Sequence, residues 1–122
     1  MFPDTKIKCK RVPMNFGPLK NASGNARVLS GDGGFAEFWI IVRDEEIAKA
    51  GFITNISEEC MLSCSALAEM AEGMKLSTAY SLNKSQLTEY ADINEFESCT
   101  NTAIAAIKET ILNYQKAVTE IT

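Results

Sequence analysis

Histidine is absent from this 122-residue chain, and with it goes the side chain most often used for proton transfer near neutral pH. Ser-His-Asp and Cys-His catalysis are therefore excluded, as is any imidazole metal site. No GxSxG, GxxxxGK[ST] or DxDxDG arrangement occurs either, so the expectation is a protein that is not an enzyme. Long apolar runs are missing: no window approaches the roughly 18 consecutive apolar residues of a spanning helix. The start, "MFPDTKIKCK", has no apolar leader core. A cytoplasmic location with no membrane partner is expected. An excess of positive charge is also lacking, with 12 Lys and Arg against 16 Asp and Glu, a net charge of −4. The basic residues are dispersed, so nucleic acid is not an expected partner. Cysteine is sparse, at four (Cys9, Cys60, Cys64 and Cys99), and in a reducing compartment these are expected as thiols or ligands rather than disulfides.

What is present is enough for one domain. A content of 46% hydrophobic residues over 122 positions supports a core without staples. All three prolines fall in the first 26 residues, which read as an irregular lead-in rather than a separate unit. The expected organisation is a single domain, 1–122, with 1–14 a variable N-terminal segment. From "ARVLS" the pattern takes period two. After "GDGG", the stretch "FAEFWIIVRD" places Phe38, Ile40 and Val42 on one face and Glu37, Trp39, Ile41 and Arg43 on the other. "RDEE" is a polar turn and "IAKAGFITNI" a third strand-like run, so three consecutive antiparallel strands are the economical reading.

The character changes at Ser57. "SEECMLSCSALAEMAEG" begins with a serine suited to capping, has two glutamates in the first turn and ends on glycine. Cys60, Cys64, Leu67 and Ala71 form its apolar stripe, flanked by Met61 and Ala68. "STAYSL" and "KSQLTEYA" are short helical pieces. The last helix is clearer, with Ile104, Ile107, Ile111, Tyr114 and Val118 recurring at three- and four-residue spacing over about five turns.

The order of these signals is similar to one family. "NFGPLKNASGNARV", "GDGG" ahead of "EFWIIV", "DEEIAKAGF", "CSALAEMAEG" and "SCTNTAIAAI" together resemble the IscU/NifU family of iron–sulfur cluster assembly scaffolds, from about Asn15 to Lys116. The resemblance implies an α+β fold, a small three-stranded antiparallel sheet with helices packed on one face. It also implies a [2Fe–2S] cluster site built from three loop cysteines and an aspartate at one end of the sheet, a ligand set suited to iron. On that pattern Gly33 stands at the first cysteine position, Phe35 at the aspartate and Ser57 at the second cysteine; Cys99 alone is retained. The histidine that often precedes the third cysteine is Ser98, and the proline-rich chaperone segment is "DINEFE".

"GDGG" then reads as a ligand-bearing hairpin that has lost its ligand. A phosphate cradle is the poorer reading, since no GK[ST] follows and the chain enters a strand rather than a helix. Cys60 is three residues past Ser57 and four before Cys64, so a shifted site of Cys99 and Cys60, with Cys64 as a third metal ligand, is one expectation. The competing one makes Cys60 and Cys64 buried hydrophobes. Cys9 lies among Lys6, Lys8, Lys10 and Arg11, outside the matched span.

Two functions stay open. One is a scaffold-like protein with a degenerate or remodelled site, taking iron, a [2Fe–2S] cluster, or nothing. The other is an interaction or regulatory protein that docks a cysteine desulfurase or a true scaffold and carries no cluster. A homo-oligomer would supply missing ligands under the first. A third reading, an unrelated small α+β binding module, needs no such partner.

Overall fold

The computed structural model describes residues 15–30, 33–56, 58–91 and 97–121. Three strands, β1 (Gly24–Leu29), β2 (Phe35–Arg43) and β3 (Glu46–Thr54), form one antiparallel sheet in the order β1-β2-β3. Four helices follow: α1 (Glu58–Ala71), α2 (Leu76–Tyr80), α3 (Lys84–Ala91) and α4 (Glu97–Ile121). This is the α+β arrangement expected from the alternating strand patterns and the later helical periodicity.

Period-two alternation sets the two faces of the sheet. Phe38 pairs with Ala26 on one side and Phe52 on the other, and Ala36, Phe38, Ile40, Ala50 and Phe52 are buried on the inner face. Arg27, Phe35, Glu37, Trp39 and Ile53 alternate onto the outer face. The alternation breaks once, at an irregularity between Ile41 and Val42, where the Ser23 hydroxyl accepts from the Val42 N–H at 2.9 Å. Asp44 and Glu45 make the β2–β3 turn with φ of 54° and 65°, the left-handed pair that a two-residue hairpin needs to follow the strand twist.

All helix packing on the sheet is on the inner face. Helix α1 lies against β3, and α4 lies against β1 and β2 and touches α1. The stripe of Cys60, Cys64, Leu67 and Ala71 is buried, as are Ile104, Ile107 and Ile111 of α4. Helix α4 is longer than its apolar stripe suggests, at 25 residues, and its last part outruns the sheet, leaving Val118 41% exposed. Gly24 lets α4 approach: a Cβ there would lie 2.8 Å from the Thr110 carbonyl oxygen. The Thr110 hydroxyl donates to the Ala106 carbonyl at 2.8 Å and lies 3.4 Å from that of Phe38, while the Asn113 amide donates to the Asn25 carbonyl at 2.9 Å.

The lead-in segment has a structural task that its composition did not disclose. Residues 15–17 run beside β3, with Gly17 N–H donating to Phe52 O and Phe52 N–H to Asn15 O. This strap occupies backbone groups that an edge strand would otherwise expose. Glu72 clamps it, one carboxylate oxygen accepting from Asn15 Nδ2 at 2.8 Å and from the Ala50 N–H at 3.0 Å. Phe16 stands edge-on to Phe52 with ring centroids 5.5 Å apart. Helix α3 starts with a reciprocal cap, in which Asn83 Oδ1 accepts from Gln86 N–H and Gln86 Oε1 accepts from Asn83 N–H, both at 3.0 Å. That exchange explains why an eight-residue helix forms here. Ser57, the expected cap of α1, lies outside the described residues, as does Asp32 of the "GDGG" turn.

Candidate functional site

Helix direction defines one end of the molecule. Helix α1 leaves the end of β3 beyond Thr54, and its far end returns to Ile47, whose carbonyl accepts from the Gly73 N–H at 2.7 Å. Helix α4 runs the same way, because Thr110 meets Phe38 while Tyr114 meets Gly24, the partner of Ile40. Both helices therefore begin at the end of the sheet that carries the β1–β2 hairpin and Asn55–Ile56. Cys99 precedes Thr110 by eleven positions, roughly 16 Å at 1.5 Å per residue, which carries its backbone toward that end. Cys60 and Cys99 are each the third residue of their helices.

The hairpin at this end is closed by Ser30 N–H donating to Gly34 O at 2.9 Å. Gly33 has a φ of 91° with open space around its Cβ position, so the first expected ligand position is now a left-handed residue suited to glycine. Gly34 is packed instead, since a Cβ would come within 2.6 Å of Ile56 Cγ1. Gly33, Gly34, Asn55 and Ile56 line a shallow cavity of about 200 Å³. Its polar frame is satisfied from within: Asn55 Oδ1 accepts from Phe35 N–H at 2.9 Å, and the Thr54 hydroxyl donates to the Phe35 carbonyl at 2.7 Å.

Phe35 takes the aspartate position of the resemblance, and its ring lies on the outer face. The Arg27 guanidinium carbon sits 3.9 Å from the ring centroid, and Arg27 Nε and Nη2 both donate to Glu37 Oε1, at 3.1 and 2.9 Å. The remaining oxygen of Glu37 accepts from Asn25 Nδ2 at 2.9 Å. The position thus supplies a surface stack rather than a ligand oxygen.

The cysteines divide by environment. Cys64 is a free thiol within the core cluster, and burial pushes it up to about 12. A thiol so held stays protonated at neutral pH and behaves as a small packed hydrophobe. Cys60 is 1% exposed and disulfide-bonded, which corrects the expectation of thiols or ligands throughout: a disulfide sulfur has no thiolate to offer iron until it is reduced. Its partner is not among the described side chains. The side chain of Cys99 is likewise outside the described residues, although its backbone opens α4 next to the buried Thr100. Ser57 and Cys9 are outside them altogether. Among the described residues no group of three His, Cys, Asp or Glu side chains is arranged to hold a metal ion. No helix among them is long and apolar enough to cross a membrane.

The disulfide is the feature that sequence reasoning missed. Composition argued against it, since four cysteines in a chain with no apolar leader core read as thiols.

No protein-family model and no curated protein matches the chain. Solved structures do. A nitrogen-fixing NifU-like protein (N-terminal part) from Brucella abortus superposes with a TM-score of 0.67 at 15% identity, covering 86% of this chain and 88% of that one. A protein assigned as an iron–sulfur cluster assembly scaffold for the SUF system, from the thermophile Fervidobacterium islandicum, gives 0.67 at 10% identity over 83% and 89%. A hypothetical protein gives 0.62 at 17% identity over 84% and 90%. At these identities the likeness establishes the fold: the three-stranded sheet and its helices are those of NifU-like and SufU-like structures.

Proposed function

We propose, on the premise of a fold held in common with NifU-like and SufU-like iron–sulfur scaffolds, that this chain is a scaffold-like protein whose cargo site has been remodelled around the openings of α1 and α4. The single observation that supports this most strongly is the shared end of the sheet, where two helices begin with a cysteine at their third position, beside the hairpin and Asn55–Ile56. It is not an enzyme in this reading. It accepts iron or sulfide-bridged iron as cargo, and the chain has no histidine, the commonest proton-transfer group near neutral pH.

The donor set is small. Gly33 and Phe35 present no ligand atom, and Cys64 is committed to the core. Cys99, and Cys60 once its disulfide is reduced, are the thiols this reading uses. A [2Fe–2S] cluster takes about four protein ligands, so the cargo is completed by a second copy of this chain or by external thiols. The partner class is a cysteine desulfurase or another scaffold protein, in a reducing, cytoplasmic setting.

A second reading is favoured by the loss of ligand atoms at Gly33 and Phe35. Here the chain keeps the docking surfaces of the fold and binds a desulfurase or a true scaffold without carrying cargo. Anaerobic reconstitution of the reduced protein with ferrous iron and sulfide, followed by desalting and iron and sulfide analysis, separates the two. Retention that Cys99→Ser abolishes supports the scaffold. A well-folded reduced protein that retains nothing, yet binds a desulfurase equally with and without Cys99→Ser, supports the second reading.

A further inference from the structure

We propose that this chain pairs with a second copy of itself through the open edge of β1, joining two three-stranded sheets into one. The fold treats the two edges of its sheet differently. On β3, the Ile47 N–H donates to Met74 O and the Ile47 carbonyl accepts from the Gly73 N–H. The Ala50 N–H and carbonyl are held by Glu72 and Asn15, and Phe52 is held by the strap. On β1, the bond from Ser30 N–H to Gly34 O fixes the alternation. Ala26 and Val28 turn their main-chain groups toward β2, whereas Asn25, Arg27 and Leu29 turn theirs away. The Asn25 carbonyl is taken by Asn113 Nδ2 at 2.9 Å. Among the described residues nothing bonds the outward main-chain groups of Arg27 and Leu29. Helix α4 leaves this stretch uncovered: Leu29 is 73% exposed and the Arg27 side chain half exposed. The strand carries neither proline nor lysine, and its register with β2 is unbroken, so the usual devices that keep edges apart are missing.

The occupant is a second copy because the strand complements itself. An antiparallel two-fold through Val28 sets Arg27 opposite the partner's Leu29, and Leu29 opposite the partner's Arg27. Each such pair exchanges both of its main-chain bonds, which uses the open groups and no others. Val28 meets the partner's Val28 on the inner face, where Val28 already packs against the core. The charge of Arg27 faces an apolar side chain and keeps its own Glu37. A two-fold through Arg27 instead would oppose two guanidinium groups, and like charges directly opposite are destabilising. It would also need the Asn25 main chain, whose carbonyl is occupied. The contact stands apart from the scaffold reading. In an antiparallel pair the two hairpin ends point in opposite directions, so each cargo end stays open.

The test is sedimentation velocity on the reduced, intact chain from about 10 µM to about 1 mM, the range of weak association, with amide hydrogen exchange measured at both concentrations. A dimer is expected to grow in with concentration. The Arg27 and Leu29 amides should then slow by at least about tenfold, while those of Ala26 and Val28, already bonded to β2, change little. Leu29→Pro removes an outward N–H without touching the ladder to β2, and is expected to raise the dimer Kd at least about tenfold. Should circular dichroism show that variant unfolded, Leu29→Lys and Leu29→Glu carry the test. Lysine opposes the partner's Arg27 and weakens the dimer at low salt, whereas glutamate attracts it and tightens the dimer. A parent that is monomeric throughout, a dimer that leaves the Arg27 and Leu29 amides unprotected, or equal dimerisation of the Lys and Glu variants overturns the proposal. So does protection of both amides in the monomer, which would mean that another segment of the chain covers the edge.

Discussion

The Arg27 guanidinium stacks on the Phe35 ring at 3.9 Å from its centroid, on the sheet face opposite the helices. Arg27 at the same time pairs with Glu37, so Phe35 is drawn into a surface network. The Arg27 side chain is half exposed, and exposed ion pairs and cation–π stacks contribute little each. Arg27→Ala is expected to lower stability by about 1 kcal/mol or less in urea denaturation. Phe35→Asp alone is expected to leave iron retention unchanged, because the position faces away from the helix openings; a gain would show that the hairpin can turn this side chain inward.

Gly24 sets the distance between α4 and β1. A methyl group there would press on the Thr110 carbonyl and on Tyr114 Cβ, at 2.8 and 2.9 Å, and neither is the end of a flexible side chain. Gly24→Ala is expected to cost about 1 to 3 kcal/mol, the range for forced overpacking, read as a lowered denaturation midpoint. Unchanged stability would mean that α4 sits further from the sheet.

Cys64 gives the protein an alkaline weakness. Its thiol keeps the proton up to about 12 in the folded chain, against a reference value of 9.0. Between those values the unfolded chain binds fewer protons than the folded one, so the contribution is intact below about 9 and is lost as pH rises toward 12. The slope from this group is at most about 1.4 kcal/mol per pH unit. Denaturation of the parent and of Cys64→Ala across that interval should show a flatter decline for the variant; parallel curves would contradict the buried thiol.

Glu72 ties the strap to β3 through Asn15 and Ala50. Hydrogen bonds to a charged acceptor are worth about 1.5 to 3 kcal/mol each when shielded and less when exposed, as here. Glu72→Ala is expected to speed hydrogen exchange at the Gly17 and Phe52 amides while α4 amides keep their protection. Equal acceleration in both places would mean that the strap is part of the global fold rather than a local clamp.

Strand and helix identities were legible because their burial is one-sided: the alternation of Phe38 with Trp39 and the spacing of Ile104, Ile107 and Ile111 each report a single covered face. The strap was not legible, since its interactions run through backbone groups and one carboxylate 57 positions away. At the candidate site, the glycine turn at Gly33 was readable from residue type, and the outward direction of Phe35 from the strand alternation. The bonding of Cys60 was not, because pairing depends on where the folded chain brings two sulfurs together in space. The environment of Cys64 followed from its stripe, whereas the irregularity beside Val42 left no mark on the alternating pattern.

The central claim, that the openings of α1 and α4 form a cargo site, is tested most directly by anaerobic reconstitution of the dithiothreitol-reduced protein with ferrous iron and sulfide. Desalted parent and Cys99→Ser proteins are then compared for iron, sulfide and visible absorbance. The account predicts retained iron and sulfide in the parent and their loss in Cys99→Ser, with both proteins folded. Equal retention in the two, or none in the folded parent, would contradict it.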